Sequence, residues 1–148
     1  MITLEQLKEA LSEKMCDKRH RITGLVEATR SRDEQVLRPL NAMGSFRPIT
    51  YERELLVFFV VNGTVTLDKS KSIPLRVNMV VMTDDYNDLA MIIESLDEYD
   101  FLPLDLTFGS TEIYDRYFDF DVNKPFQGYA FELGLNIRVS YKELIQND

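Results

Sequence analysis

One cysteine, one histidine, five prolines and six isolated glycines are all that 148 residues hold of the types that most often announce chemistry or sharp turns. Cys16 alone cannot close an internal disulfide, which suits a reducing compartment. No run of about 18 uncharged apolar residues occurs, which excludes a membrane-spanning helix. The opening MITLEQLKEALSEK is charged and amphipathic and lacks an apolar signal-peptide core. Gly24, Gly44, Gly63, Gly109, Gly128 and Gly134 stand alone, so no G-x-x-x-x-G-K or G-x-G-x-x-G phosphate loop exists. Nor is there a G-x-S-x-G nucleophile elbow.

What is present is apolar and acidic. At 45% hydrophobic residues the chain is too apolar for disorder. Its length predicts one domain over 1–148, able to bury roughly two-thirds of its unfolded surface. The net charge of −8 argues against coating a polyanion, and it is uneven. Residues 1–53 carry 10 Lys+Arg against 8 Asp+Glu, whereas 54–148 carry 7 against 17. This reads as a basic arm beside an acidic body.

Thr3-Leu4-Glu5-Gln6 forms a capping-box pattern, and Leu4, Leu7, Leu11 and Met15 follow at helical spacing. A first helix of about four turns is expected, ending near Lys18 to Arg21. Gly24, Pro39, Gly44 and Pro48 punctuate 23–53, which predicts a long irregular arm or interface loop, with a short helical piece around Asp33 to Leu40. Leu55 to Val61 is apolar on both alternating faces, the mark of a central strand. Asn62-Gly63 then signals a hairpin, with Thr64 to Leu67 beginning the return, a polar turn at Asp68 to Ser72, and a strand from Leu75 to Met82. Asp84 and Asp85 precede a helix expected over about Tyr86 to Tyr99, stopped by Pro103. Tyr114 to Val122 and Tyr129 to Tyr141 both alternate with period two, predicting a closing hairpin around Asn123 to Gly128. The fold class is therefore α+β: a mainly antiparallel sheet, an N-terminal helix, a second helix packed on the sheet, and the irregular arm.

Candidate chemistry is thin. Cys16 and His20, four apart on the first helix, share a face, but zinc needs three or four ligands and no other Cys or His exists. Without an orienting third group they also make a poor nucleophile–base pair. Asp119-Phe120-Asp121-Val122-Asn123 opens like a calcium loop, yet Lys124 and Ala130 stand where glycine and a bidentate glutamate are required. An adventitious cation at Asp119/Asp121 is all that pattern supports. Asp84, Asp85, Asp88, Glu94, Asp97, Glu98 and Asp100 read as helix caps and a solvated face rather than acid–base catalysts. No catalytic, cofactor-binding or metal residue is assigned, and no enzymatic activity is expected. Arg30, Arg32, Arg38, Phe46, Arg47, Tyr51 and Arg53 read instead as interface residues, since arginine and aromatic rings anchor protein contacts. Aromatic partners are too sparse there for nucleic-acid stacking.

The element order, size and acidity, carried most clearly by LRVNMVVMTDDYNDLAMIIESL (75–96) and YAFELGLNIRVSY (129–141), resemble the tail-completion and tail-terminator proteins of tailed bacteriophages. The resemblance spans roughly Thr3 to Tyr141. It implies a non-enzymatic subunit of a homo-oligomeric ring in a virion tail or neck, assembled in the host cytoplasm, with no membrane contact. Its partners would be itself and neighbouring tail or neck proteins, with DNA at most passing through the ring lumen. An acidic lumen would let DNA slide without sticking. The long 23–53 arm departs from the family pattern. The alternative reading is a cytoplasmic protein-binding adaptor or inhibitor module using the same arm.

Overall fold

A computed structural model describes residues 2–15, 20–31, 34–40, 49–61, 72–96, 107–108, 110–118 and 126–145. The elements are α1 (Leu4–Lys14), β1 (His20–Ser31), β2 (Glu34–Pro39), β3 (Leu55–Val61), β4 (Ser72–Thr83), α2 (Tyr86–Leu96), β5 (Thr107–Phe108), α3 (Ser110–Tyr117), β6 (Tyr129–Ser140) and α4 (Tyr141–Ile145). Six strands form one sheet in the order β2-β1-β3-β4-β6-β5. Every neighbouring pair is antiparallel except β1 and β3. The chain is an α+β protein.

The capping box forms as its residue types demand. Thr3 Oγ1 accepts from the Gln6 amide and Gln6 Oε1 from the Thr3 amide, both at 3.1 Å. The helix is shorter than its apolar spacing suggests: Met15 caps it, and by His20 the chain is already a strand. Leu4, Leu7, Leu11 and Met15 are buried against one face of the sheet, where Leu89, Ile92 and Leu96 of α2 and Leu144 of α4 join them. Leu55, Val57, Phe59, Val77, Met79, Val81, Phe131, Leu133, Leu135 and Ile137 form the floor beneath these helices. This is the larger of two cores.

The opposite face is apolar only over part of its width. Val26, Leu37, Leu56, Phe58, Val60, Val80, Met82 and Ala130 are covered there by Ile113, Tyr117 and Phe118. Because β3 is buried on both sides, its side chains from Leu55 to Val60 are all inside. That is the physical meaning of an apolar run without alternation.

Two sequence expectations are corrected. The stretch 23–53 is not an irregular arm throughout, and Glu34–Pro39 is a strand rather than the short helical piece expected around Asp33 to Leu40: β1 and β2 are an antiparallel pair within the sheet. A register shift between Ile22 and Leu25 puts Ile22 and Leu25 over one core and Val26 over the other. That bulge breaks period two and conceals the strand. Pro39 is tolerated because β2 is an edge strand. The second correction is the first arm of the closing hairpin, where Ser110–Tyr117 is a helix. Ile113 and Tyr117 lie one turn apart and both are buried. The apparent alternation arose because aromatics at 114 and 118 also fit a helical period.

The strands expected over Leu55 to Val61 and Leu75 to Met82 form, and the alternation from Tyr129 forms a strand that stops at Ser140, one residue short of the expected Tyr141, which opens α4. Asn62-Gly63, Thr64 to Leu67 and Asp68 to Lys71 lie outside the described residues, as do Asp97 to Asp100, Pro103 and Asp119 to Pro125.

Candidate functional site

Strand pairing brings four strand ends together. His20 aligns with Leu55, Leu56 with Met82, and Thr83 with Tyr129. The segments entering and leaving these positions, 49–54, 84–85 and 126–128, therefore crowd one end of the sheet. That end concentrates polar and aromatic side chains.

Thr83 organises the turn into α2. Its hydroxyl donates to Asp88 Oδ2 at 2.6 Å and accepts from the Asp85 amide at 3.1 Å. Asp85 Oδ1 in turn accepts from the Asn87 amide at 2.9 Å, the N-cap role expected of it. Asp88, one of the carboxylates expected to cap a helix or line a solvated face, is 3% exposed. Burial is tolerable because the hydroxyl satisfies it. Glu54 is similarly 8% exposed and lies 2.9 Å from Arg21 Nε, while the Arg21 guanidinium also donates to the Thr50 carbonyl. Arg53 adopts φ 57°, a left-handed conformation costing a non-glycine residue about 1–2 kcal/mol. Its side chain reaches Gln127 Oε1 at 3.4 Å.

Tyr51 packs edge-on against Phe126 with ring centroids 5.1 Å apart, and its buried hydroxyl has no hydrogen-bond partner among the described residues. Phe126 stacks on Tyr114 and Tyr114 on Phe118, which meets Phe58 edge-on. A row of rings thus runs from the sheet end into the second core. Burial first, and the Asp84 carboxylate next, push the Tyr51 hydroxyl from 10.0 up to about 12, with Arg53 opposing. A folded-state value above the unfolded one favours the neutral phenol. Its contribution is complete below pH 10 and is lost between pH 10 and about 12. Tyr51→Phe should therefore leave the thermal midpoint at pH 7 nearly unchanged, since no hydrogen bond to the described residues is removed, and should flatten the alkaline decline. Melts at pH 7 and pH 11 check this, and an alkaline decline identical to that of the parent chain would refute it.

Tyr86 and Tyr129 stand outward at the same end, 60% and 45% exposed, with centroids 5.6 Å apart in edge contact. Ile93, two turns along α2 from Tyr86, is the third large exposed apolar side chain among the described residues. Glu52, Arg53 and Asp84 are exposed at the same sheet end, two carboxylates against one guanidinium. The patch is aromatic and acidic, and tyrosine is among the residue types that anchor protein contacts.

A second polar group pins α3 to the sheet. Glu132 accepts from Tyr117 at 2.5 Å, from Arg116 at 2.9 Å and from Asn78 at 3.2 Å. Burial and the bond to Glu132 both raise the Tyr117 hydroxyl's pKa, so it remains a donor.

Of the residues read as an interface, Tyr51 and Arg53 belong to the sheet end just described. Arg38 lies on β2 and is paired across the strands with Glu27. Arg30 is on β1, while Arg32, Phe46 and Arg47 lie outside the described residues. His20 is on a strand, not on the first helix where its spacing to Cys16 would have put both on one face. Cys16, Asp119 and Asp121 lie outside the described residues, among which no group of three or more His, Cys, Asp or Glu is placed to hold a metal. No helix among them is long and apolar enough to cross a membrane. Tyr86 and Tyr129 escaped the sequence reading because each fits the apolar stripe of its own element. Only the tertiary arrangement leaves them uncovered and side by side.

No family model, curated protein or solved structure matches this chain.

Proposed function

We propose that the chain is a non-enzymatic assembly subunit that self-associates into a ring, of the tail-terminator or tail-completion type, in a phage or phage-like tail or neck. The observation that carries the assembly role is the exposed Tyr86–Tyr129 pair at the acidic sheet end. Two rings held in mutual contact lose little side-chain freedom when a partner covers them, and tyrosine is a frequent energetic anchor of interfaces. The buried carboxylates beside them, Asp88 and Glu54, are engaged by Thr83 and Arg21. Their roles are accounted for by the turn and the strand end.

The tail assignment rests on the sequence resemblance in element order, size and acidity. The net −10 over 54–148 supports it, since a negatively lined ring passes DNA without binding it.

Size-exclusion chromatography with mass measurement tests the reading. A concentration-dependent oligomer, visible as rings by electron microscopy, is the expected result. A strict monomer at every concentration, with no affinity for tail proteins, overturns it. Capture of one stoichiometric heterologous protein by a monomeric chain would identify an adaptor instead.

A further inference from the structure

The end of β4 opposite the tyrosines carries the complementary chemistry. Register pairs Pro74 with Arg138 and Arg76 with Asn136. Alternation puts these four on the face of the sheet that bears Val80 and Met82, beyond the part that α3 covers. Pro74, Arg76 and Arg138 are exposed. Arg138 is held in place by Ser72, whose carbonyl and hydroxyl oxygens lie 3.2 and 3.1 Å from its Nη1. Arg76 and Asp84 are eight positions apart along the chain, which places the cationic and anionic patches about 26 Å from each other at 3.3 Å per strand residue.

We propose that this arginine-bearing sheet face receives the tyrosine–carboxylate end of a second copy of the chain, an inference that rests on the self-assembly reading above. Tyr86 and Tyr129 offer ring faces to guanidinium groups, and Glu52 and Asp84 offer carboxylates. Two arginines on a body of net −10 make a weak polyanion site but a matched seat for an acidic, aromatic knob. The knob with that composition lies on the same chain. The two patches are different surfaces at opposite ends of one strand, so their contact is heterologous. Repetition of such a contact closes a ring or extends a filament.

The test uses two full-length charge-reversed proteins, one carrying Arg76→Glu with Arg138→Glu, the other Glu52→Lys with Asp84→Lys. Each should stay folded, by circular dichroism and thermal melting, yet self-associate at least about tenfold more weakly than the parent. Mixed in equal amounts they should reassemble, because each defective surface then meets its reversed complement. Higher salt should weaken the parent assembly. Folded variants that assemble like an oligomeric parent would overturn this docking mode while leaving self-assembly standing. So would folded monomers that fail to reassemble on mixing, or a parent that stops at a two-fold dimer. A parent that is monomeric throughout would overturn both readings.

Discussion

Phe58→Ala should lower the unfolding free energy by about 3–5 kcal/mol, the range for deleting a fully buried phenylalanine. Phe58 has no exposed surface and lies in the middle of β3, opposite Val80 of β4. Its ring meets Tyr117 at 5.5 Å and Phe118 at 6.0 Å, both edge-on. Those two rings are how α3 and the residue after it rest on the second face. Alanine would remove transfer free energy and the edge contacts together, and would leave a cavity that β3, paired on both sides, cannot close. Domains of this kind are stable by about 5–15 kcal/mol, so the loss is a large fraction of the whole. Urea titration followed by circular dichroism measures it. A change below about 1 kcal/mol would mean that the second core does not pack α3 as described.

Gly128→Ala should destabilise the chain by about 1–3 kcal/mol for a reason unrelated to cavities. A Cβ at Gly128 would lie 2.7 Å from the Thr83 carbonyl oxygen, 3.1 Å from Phe126 Cζ and 3.3 Å from the Tyr51 hydroxyl. The nearest of these is backbone, so a strand end must move. Thr83 pairs in register with Tyr129, and the displacement passes directly to the exposed tyrosine pair. On the proposed assembly, the variant should therefore lose self-association as well as stability. Adding Tyr51→Phe should rescue little, because it relieves only the longest of the three contacts. Full recovery by that second change would locate the strain at the hydroxyl rather than at the carbonyl. Chemical denaturation and mass measurement on the single and double variants separate the two outcomes.

Local signals were readable wherever one residue pattern had one physical solution. The capping box at Thr3 and Gln6, the doubly apolar run at Leu55 to Val61 and the uninterrupted alternation from Tyr129 each formed the element its pattern required. Reading failed where a pattern had two solutions or was interrupted. Tyr114 and Phe118 fit both periods, and the choice went to the helix that sets Ile113 and Tyr117 against Phe58. In β1 the shift after Ile22 moved apolar residues from one face to the other, so a strand of 12 residues resembled a loop. The basic arm dissolved with it, and Arg38 proved to be the cross-strand partner of Glu27.

The scarcity of cysteine, histidine and glycine motifs, together with the acidic balance of residues 54–148, was settled by the sequence alone, because composition does not depend on folding. It turned the question from reaction chemistry to surface contact. Which side chains are left exposed was decided by tertiary structure. Burial drew Asp88 inward onto the Thr83 hydroxyl and Glu54 onto the Arg21 guanidinium, and left Tyr86 and Tyr129 outside. Exposure is a property of what packs over a residue. Tyr86 and Tyr129 meet because Thr83 pairs with Tyr129 across 46 positions of sequence, which no local pattern encodes.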